Sequence, residues 1–176
     1  MVRALALGLV ALALFPAAAF AHGPTRQKVI ETVEINAPPE KVWEVIKNFQ
    51  DMSWHPAVAK VEGKGDNGAD ATRVLTLASG GTIAEKLIGY DAAKKQYKYE
   101  ITDVDVKVLP VNNYSSSLSV KGDGAKSTVE WKGAFYRGFL NNDPPPELSD
   151  EAAVKAVKGV YRGGLDALKQ KIEAGG

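Results

Sequence analysis

The chain has 176 residues, no cysteine, and 22 basic against 21 acidic side chains, for a formal net charge of +1. Disulfide staples and thiol chemistry are therefore excluded, and no basic block or stripe of the kind that binds nucleic acid stands out. The length suits one ordinary domain with a core of its own.

The N-terminus reads as an export leader. Met1-Val2-Arg3 is a short positive segment, Ala4 to Phe15 an apolar run, and Pro16 breaks it. That run is too short to span a bilayer, and Ala19-Phe20-Ala21 has the small-x-small cleavage pattern. Residues 1–21 are therefore expected to be a signal peptide, cleaved after Ala21, and the mature product to be periplasmic, with no membrane span. Losing Arg3 would balance the basic and acidic side chains. Residues 22–27 read as a short tail, and 28–176 as a single domain.

Lys28 to Ile35 alternates, with Val29, Val33 and Ile35 on one face, and predicts a strand. Ala37-Pro38-Pro39-Glu40 then opens a helix, since proline is tolerated in a first turn. Val42, Ile46 and Phe49 continue it at helical spacing. Asp51 to Pro56 predicts a short helical turn ended by its proline. Strands follow at Val58–Glu62, Thr72–Leu77 and Thr82–Tyr90, the last two joined by Ser79-Gly80-Gly81. Further strands are predicted at Gln96–Asp103, Tyr114–Val120 and Ser127–Tyr136. Three prolines make Asn141–Pro146 a stiff loop. Ser149 caps a long helix with Asp150 and Glu151 at its positive end. Its apolar stripe runs Val154, Val157, Tyr161, Leu165, Leu168, Ile172. The expected class is α+β, a curved antiparallel sheet of about seven strands around a long C-terminal helix.

Strand phase yields the sharpest site candidates. Arg73 shares a face with Leu75 and Leu77, and Glu85 with Ile83 and Leu87. A hairpin joins the two strands, so both charges are expected in one concave interior. Pairing would offset part of the cost of burying them. They read either as a polar anchor in an apolar pocket or as a structural ion pair. Trp54 and His55, in the turn before Pro56, are further candidates; His55 reads as a base or as a locally bonded loop residue. Tyr99, Tyr114, Trp131, Phe135 and Tyr161 read as ligand-lining or core aromatics, and Trp43 as core. Gly159, Gly163 and Gly164 interrupt the long helix at a cost of about 1 kcal/mol each, which reads either as cavity room or close approach to the sheet, or as a frayed or kinked segment. After cleavage, the free amine and imidazole of His22 with His55 would form a three-nitrogen set suited to Cu(II).

No nucleophile elbow, phosphate loop or dinucleotide fingerprint is present. No catalytic residue, resident cofactor or metal site is assigned. Asp103 and Asp105 read as solvated loop carboxylates.

Five segments, in order, carry a resemblance. They are Ile35-Asn-Ala-Pro-Pro-Glu-Lys-Val-Trp43, Trp54-His55-Pro56, and Arg73 with Gly80-Gly81-Thr-Ile-Ala-Glu85-Lys-Leu. Tyr97-Lys-Tyr99-Glu-Ile101 and Thr128-Val-Glu-Trp131 complete the set. Together they resemble the helix-grip START/Bet v 1-like (SRPBCC) superfamily, in its polyketide cyclase/dehydrase branch. That resemblance implies a pocket between sheet and helix, with Trp54 and His55 at its mouth, and a hydrophobic lipid- or polyketide-like ligand or a cyclase-type activity.

A narrower likeness is to the MxaD family of methanol-oxidation proteins. It lies in the exported form, the His22-Gly-Pro-Thr start and the Trp54-His-Pro-Ala-Val58 segment. It implies a non-enzymatic accessory role between methanol dehydrogenase and cytochrome c. The Asn141–Pro146 loop and the Trp54 segment are the expected contact surfaces. A carrier role would require an apolar cavity of several hundred Å³.

Overall fold

The computed structural model describes residues 23–175. The leader and the His22 half of the copper hypothesis lie outside them. Among the described residues seven strands form one antiparallel sheet: β1 (Gln27–Ile35), β2 (Val58–Lys64), β3 (Thr72–Leu77), β4 (Thr82–Asp91), β5 (Gln96–Val104), β6 (Val111–Asp123) and β7 (Lys126–Arg137). Their order across the sheet is β1-β7-β6-β5-β4-β3-β2. α1 (Pro39–Ile46) follows β1, and α2 (Asp150–Ala174) closes the chain after a 3-10 turn at Pro146–Leu148.

This is the α+β arrangement expected from the alternation of β1 and β3–β7 and the stripe of α2, and it is the helix-grip fold that the resemblance implies. Two local expectations are corrected. Asp51–Pro56 forms turns and irregular backbone instead of a short helix, with His55 N–H bonded to the Met52 carbonyl at 2.9 Å. β6 extends by three residues at each end and β7 by one, because the added residues other than Asn113, which falls in a register shift, find ladder partners across the hairpin.

α2 starts where Ser149 Oγ accepts the Ala152 N–H at 3.2 Å. It buries Ala153, Val157, Tyr161, Gly164, Leu165, Leu168 and Ile172. Tyr161 stacks on Trp131 of β7, with ring centroids 4.5 Å apart and planes at 11°. The same helix seals one rim of the sheet. Arg162 Nη1 donates to the Thr32 carbonyl at 2.9 Å, and Lys169 Nζ to the Glu34 carbonyl at 2.8 Å. Asn36 N–H donates to Glu173 Oε1 at 2.8 Å. The unpaired edge of β1 is thereby covered by cationic side chains. Among the described residues no helix is long and apolar enough to cross a membrane.

Candidate functional site

Register places the two charges. Arg73 of β3 stands directly opposite Glu85 of β4, and inward phase buries both, at 1% and 5% exposure. Arg73 Nε donates to Glu85 Oε2 at 2.6 Å, and Arg73 Nη1 donates to the Phe49 carbonyl. The guanidinium also lies 4.1 Å from the Phe49 ring centroid and 5.2 Å from that of Tyr99. Aromatic faces of this kind stabilise a desolvated cation. Burial raises the Glu85 carboxyl above its ordinary value, and the neighbouring guanidinium opposes the rise. The pair is an internally neutralised charge within an apolar wall.

That wall bounds a cavity of ≈ 70 Å³ between the concave sheet, the 52–58 turn and α2. Of the expected residues, His55, Arg73, Glu85, Tyr99, Tyr114 and Trp131 line it. Trp54, Phe135 and Tyr161 are buried around it without being among its lining residues. Trp54 packs on His55 and Trp131, and Phe135 stacks on Tyr114. Trp43 is core, packed on Tyr90 and Tyr97. Leu75, Leu77, Ile83 and Ile101 supply much of the apolar surface, with Val108 and Leu109 from the β5–β6 connection. The last two follow no strand or helix period, so no sequence signal marks them.

His55 is held at both nitrogens. The Ala57 N–H donates to Nδ1 at 3.2 Å, which leaves the proton on Nε2 to meet the Val160 carbonyl at 3.0 Å. Burial lowers its pKa, with the Val160 hydrogen bond opposing and the Arg73 charge assisting. The imidazole is thus a neutral, doubly bonded bridge between the 52–58 turn and α2. Gly164 makes room for it: a Cβ there would lie 2.5 Å from His55 Cδ2. Among the described residues, nothing lies within 4 Å of the corresponding positions at Gly159 and Gly163. Of the three helix glycines, close approach applies to Gly164 alone.

Behind the cavity lies a hydroxyl network. Trp131 Nε1–H donates to Tyr99 Oη at 2.9 Å and Ser116 Oγ at 3.1 Å. Ser116 Oγ donates to the Lys132 carbonyl and lies 2.9 Å from Tyr161 Oη, which is 2.5 Å from Tyr114 Oη. Burial holds the Tyr99, Tyr114 and Tyr161 phenols above their ordinary pKa, so they stay protonated donors. Ser116 was not among the expected residues. The alternation of Tyr114, Ser116, Leu118 and Val120 was the signal for it. Among the described residues, no group of three or more histidines and carboxylates is placed to hold a metal ion.

Residues 26–173 match the family described as polyketide cyclase / dehydrase and lipid transport. The chain belongs to this family. Among solved structures it is similar to the protein XoxI from Bacillus cereus, with 32% identity, a TM-score of 0.70, and 83% of this chain covering 95% of that one. Norcoclaurine synthase from Thalictrum flavum has a TM-score of 0.64 at 17% identity, over 86% of this chain and 96% of that one. Zhui aromatase/cyclase from a Streptomyces species has a TM-score of 0.65 at 17% identity, over 85% and 94%. The last two likenesses concern the fold alone. No curated protein matches the chain.

Proposed function

We propose that the protein binds a compact, mostly apolar small molecule between the sheet and α2. One observation carries this reading: an apolar cavity whose wall contains a single, fully buried and mutually neutralised Arg–Glu pair. Such sites bind through apolar area and orient through a few polar groups. The expected volume of several hundred Å³ is not met. Tyr99, Tyr114 and Trp131 occupy the interior, and ≈ 70 Å³ remains. An apolar cavity of about 150 Å³ takes up benzene, so the ligand here is a few non-hydrogen atoms in size and not a long lipid chain. Titrating isotope-labelled protein with xenon tests this. Saturable shifts are expected at the methyl groups of Leu75, Ile83 and Val108. Absence of any saturable shift there removes the reading.

The small volume favours a second reading over lipid carriage, namely a non-enzymatic accessory role at the protein surface. In this reading the chain is exported to the periplasm after cleavage behind Ala21. It then assists the interaction of methanol dehydrogenase with cytochrome c, as the MxaD-like segments suggest. Trp54, expected as a contact residue, is 3% exposed and unsuited to that part. Leu140, 45% exposed beside the stiff Asn141–Pro146 loop, is better suited. Crosslinking in periplasm of methanol-grown cells that recovers neither partner would remove this role. A cyclase-type acid–base set of Arg73, Glu85 and His55 is less favoured, because both nitrogens of His55 are engaged.

A further inference from the structure

The protons of the hydroxyl network can be followed one by one. Ser116 Oγ spends its only proton on the Lys132 carbonyl at 2.9 Å. It must therefore accept from Tyr161, 2.9 Å away, and its second lone pair takes the Trp131 N–H at 3.1 Å. With its own proton on Ser116, Tyr161 accepts from Tyr114 at 2.5 Å. The chain of donation is directed from Tyr114 through Tyr161 to Ser116 and out to the backbone. Tyr99 stands at its open end. Its oxygen accepts from Trp131 at 2.9 Å, while its own proton has, among the described residues, only Tyr114 Oη, at 3.5 Å. An ordinary O–H···O bond is about 2.5–3.0 Å. Tyr99 is 2% exposed, so water at the surface does not complete it. A buried donor left short of an acceptor is costly.

Tyr99 and Tyr114 both line the cavity. Charge sets a second condition. Arg73 and Glu85 are the cavity's fully charged side chains among the described residues, and each is spent on the other. An anionic or cationic ligand would add an uncompensated charge to this apolar site, which is strongly unfavourable.

We infer that the occupant is a small uncharged molecule presenting one oxygen acceptor, a carbonyl or hydroxyl, to the Tyr99 hydroxyl. This rests on the small-molecule reading above and names its chemistry. The test uses four probes of similar size, namely 2-butanone, isopentane, propionate and butylamine, with 2-butanol as the hydroxyl counterpart. Binding is followed by the Trp131 indole NMR signal, whose N–H reports on Tyr99. The ketone and alcohol are expected to bind roughly three- to tenfold more tightly than isopentane, the worth of one neutral hydrogen bond. Tyr99→Phe should erase that advantage and leave isopentane binding intact, since Trp131 keeps Ser116 as acceptor. Isopentane binding as well as the ketone would overturn the inference and leave the pocket reading standing. Tightest binding by propionate or butylamine would also overturn it. Saturation by none of the probes would remove the inference and the pocket reading together.

Discussion

His55 lies against the backbone of Gly164 with no space for a methyl group between them, Cδ2 and Nε2 being 2.5 and 2.7 Å from where a Cβ would stand. Gly159 and Gly163 sit on the same helix with open space around them. Alanine in a helix interior is otherwise favoured over glycine by about 1 kcal/mol. Gly159→Ala and Gly163→Ala should therefore each stabilise the protein by roughly 0.5–1 kcal/mol. Gly164→Ala should destabilise it, because the imidazole must leave its place between the turn and α2. Thermal unfolding of the three variants checks the opposite signs.

The neutral state of His55 makes stability depend on pH. Its folded pKa lies below the model-peptide value of 6.5, so the unfolded chain binds more protons in that window. The stabilisation is complete above about pH 6.5 and is lost as pH falls through the folded value. Protonation would also set an N–H at Nδ1 against the Ala57 N–H. The urea midpoint of the wild type should thus fall between about pH 7.5 and 5 more steeply than that of His55→Gln. Parallel profiles would contradict the assignment.

Removing one member of the Arg73–Glu85 pair strands a charge in the interior. Glu85→Gln leaves the guanidinium unneutralised and is expected to cost about 3–5 kcal/mol. A double replacement by Met and Leu should cost far less than the sum of the single changes, since no charge remains buried. Denaturant unfolding of the cycle measures the coupling directly.

Within the hydroxyl network, position along the donation chain ranks the variants. Tyr161→Phe leaves the Tyr114 proton without its 2.5 Å acceptor and should cost about 1–3 kcal/mol. Tyr99→Phe removes a proton that has no short acceptor and should cost less. Equal losses in chemical denaturation would contradict the direction assigned to the chain.

Much of this was readable before any coordinates. Alternation placed Arg73 and Glu85 on inward faces, and a hairpin between them made their meeting nearly unavoidable. The α2 stripe was recovered, with Ala153 and Gly164 buried in addition and Val154 only partly so. What escaped notice lacked periodicity or volume. Trp54 sits in a turn, where no repeat tells inside from outside, and it proved to be core. Val108 and Leu109 reach the cavity from a connection. Ser116 had the right phase but is small and polar, a residue type that reads as surface. The cavity's size depends on how Tyr99, Tyr114 and Trp131 share the interior, a packing outcome that strand phase does not specify.

The cations that α2 lays along β1 bear on how the molecule meets its surroundings. Thr32 and Glu34 have their outward carbonyls already engaged, so a foreign segment cannot continue the ladder along the C-terminal half of β1. β2 at the opposite margin pairs with β3 and carries a register shift at Val58/Lys60. Growth of the sheet by strand addition, whether into a dimer or an aggregate, is therefore hindered along this stretch of β1, and neutralising Lys169 and Arg162 would open it.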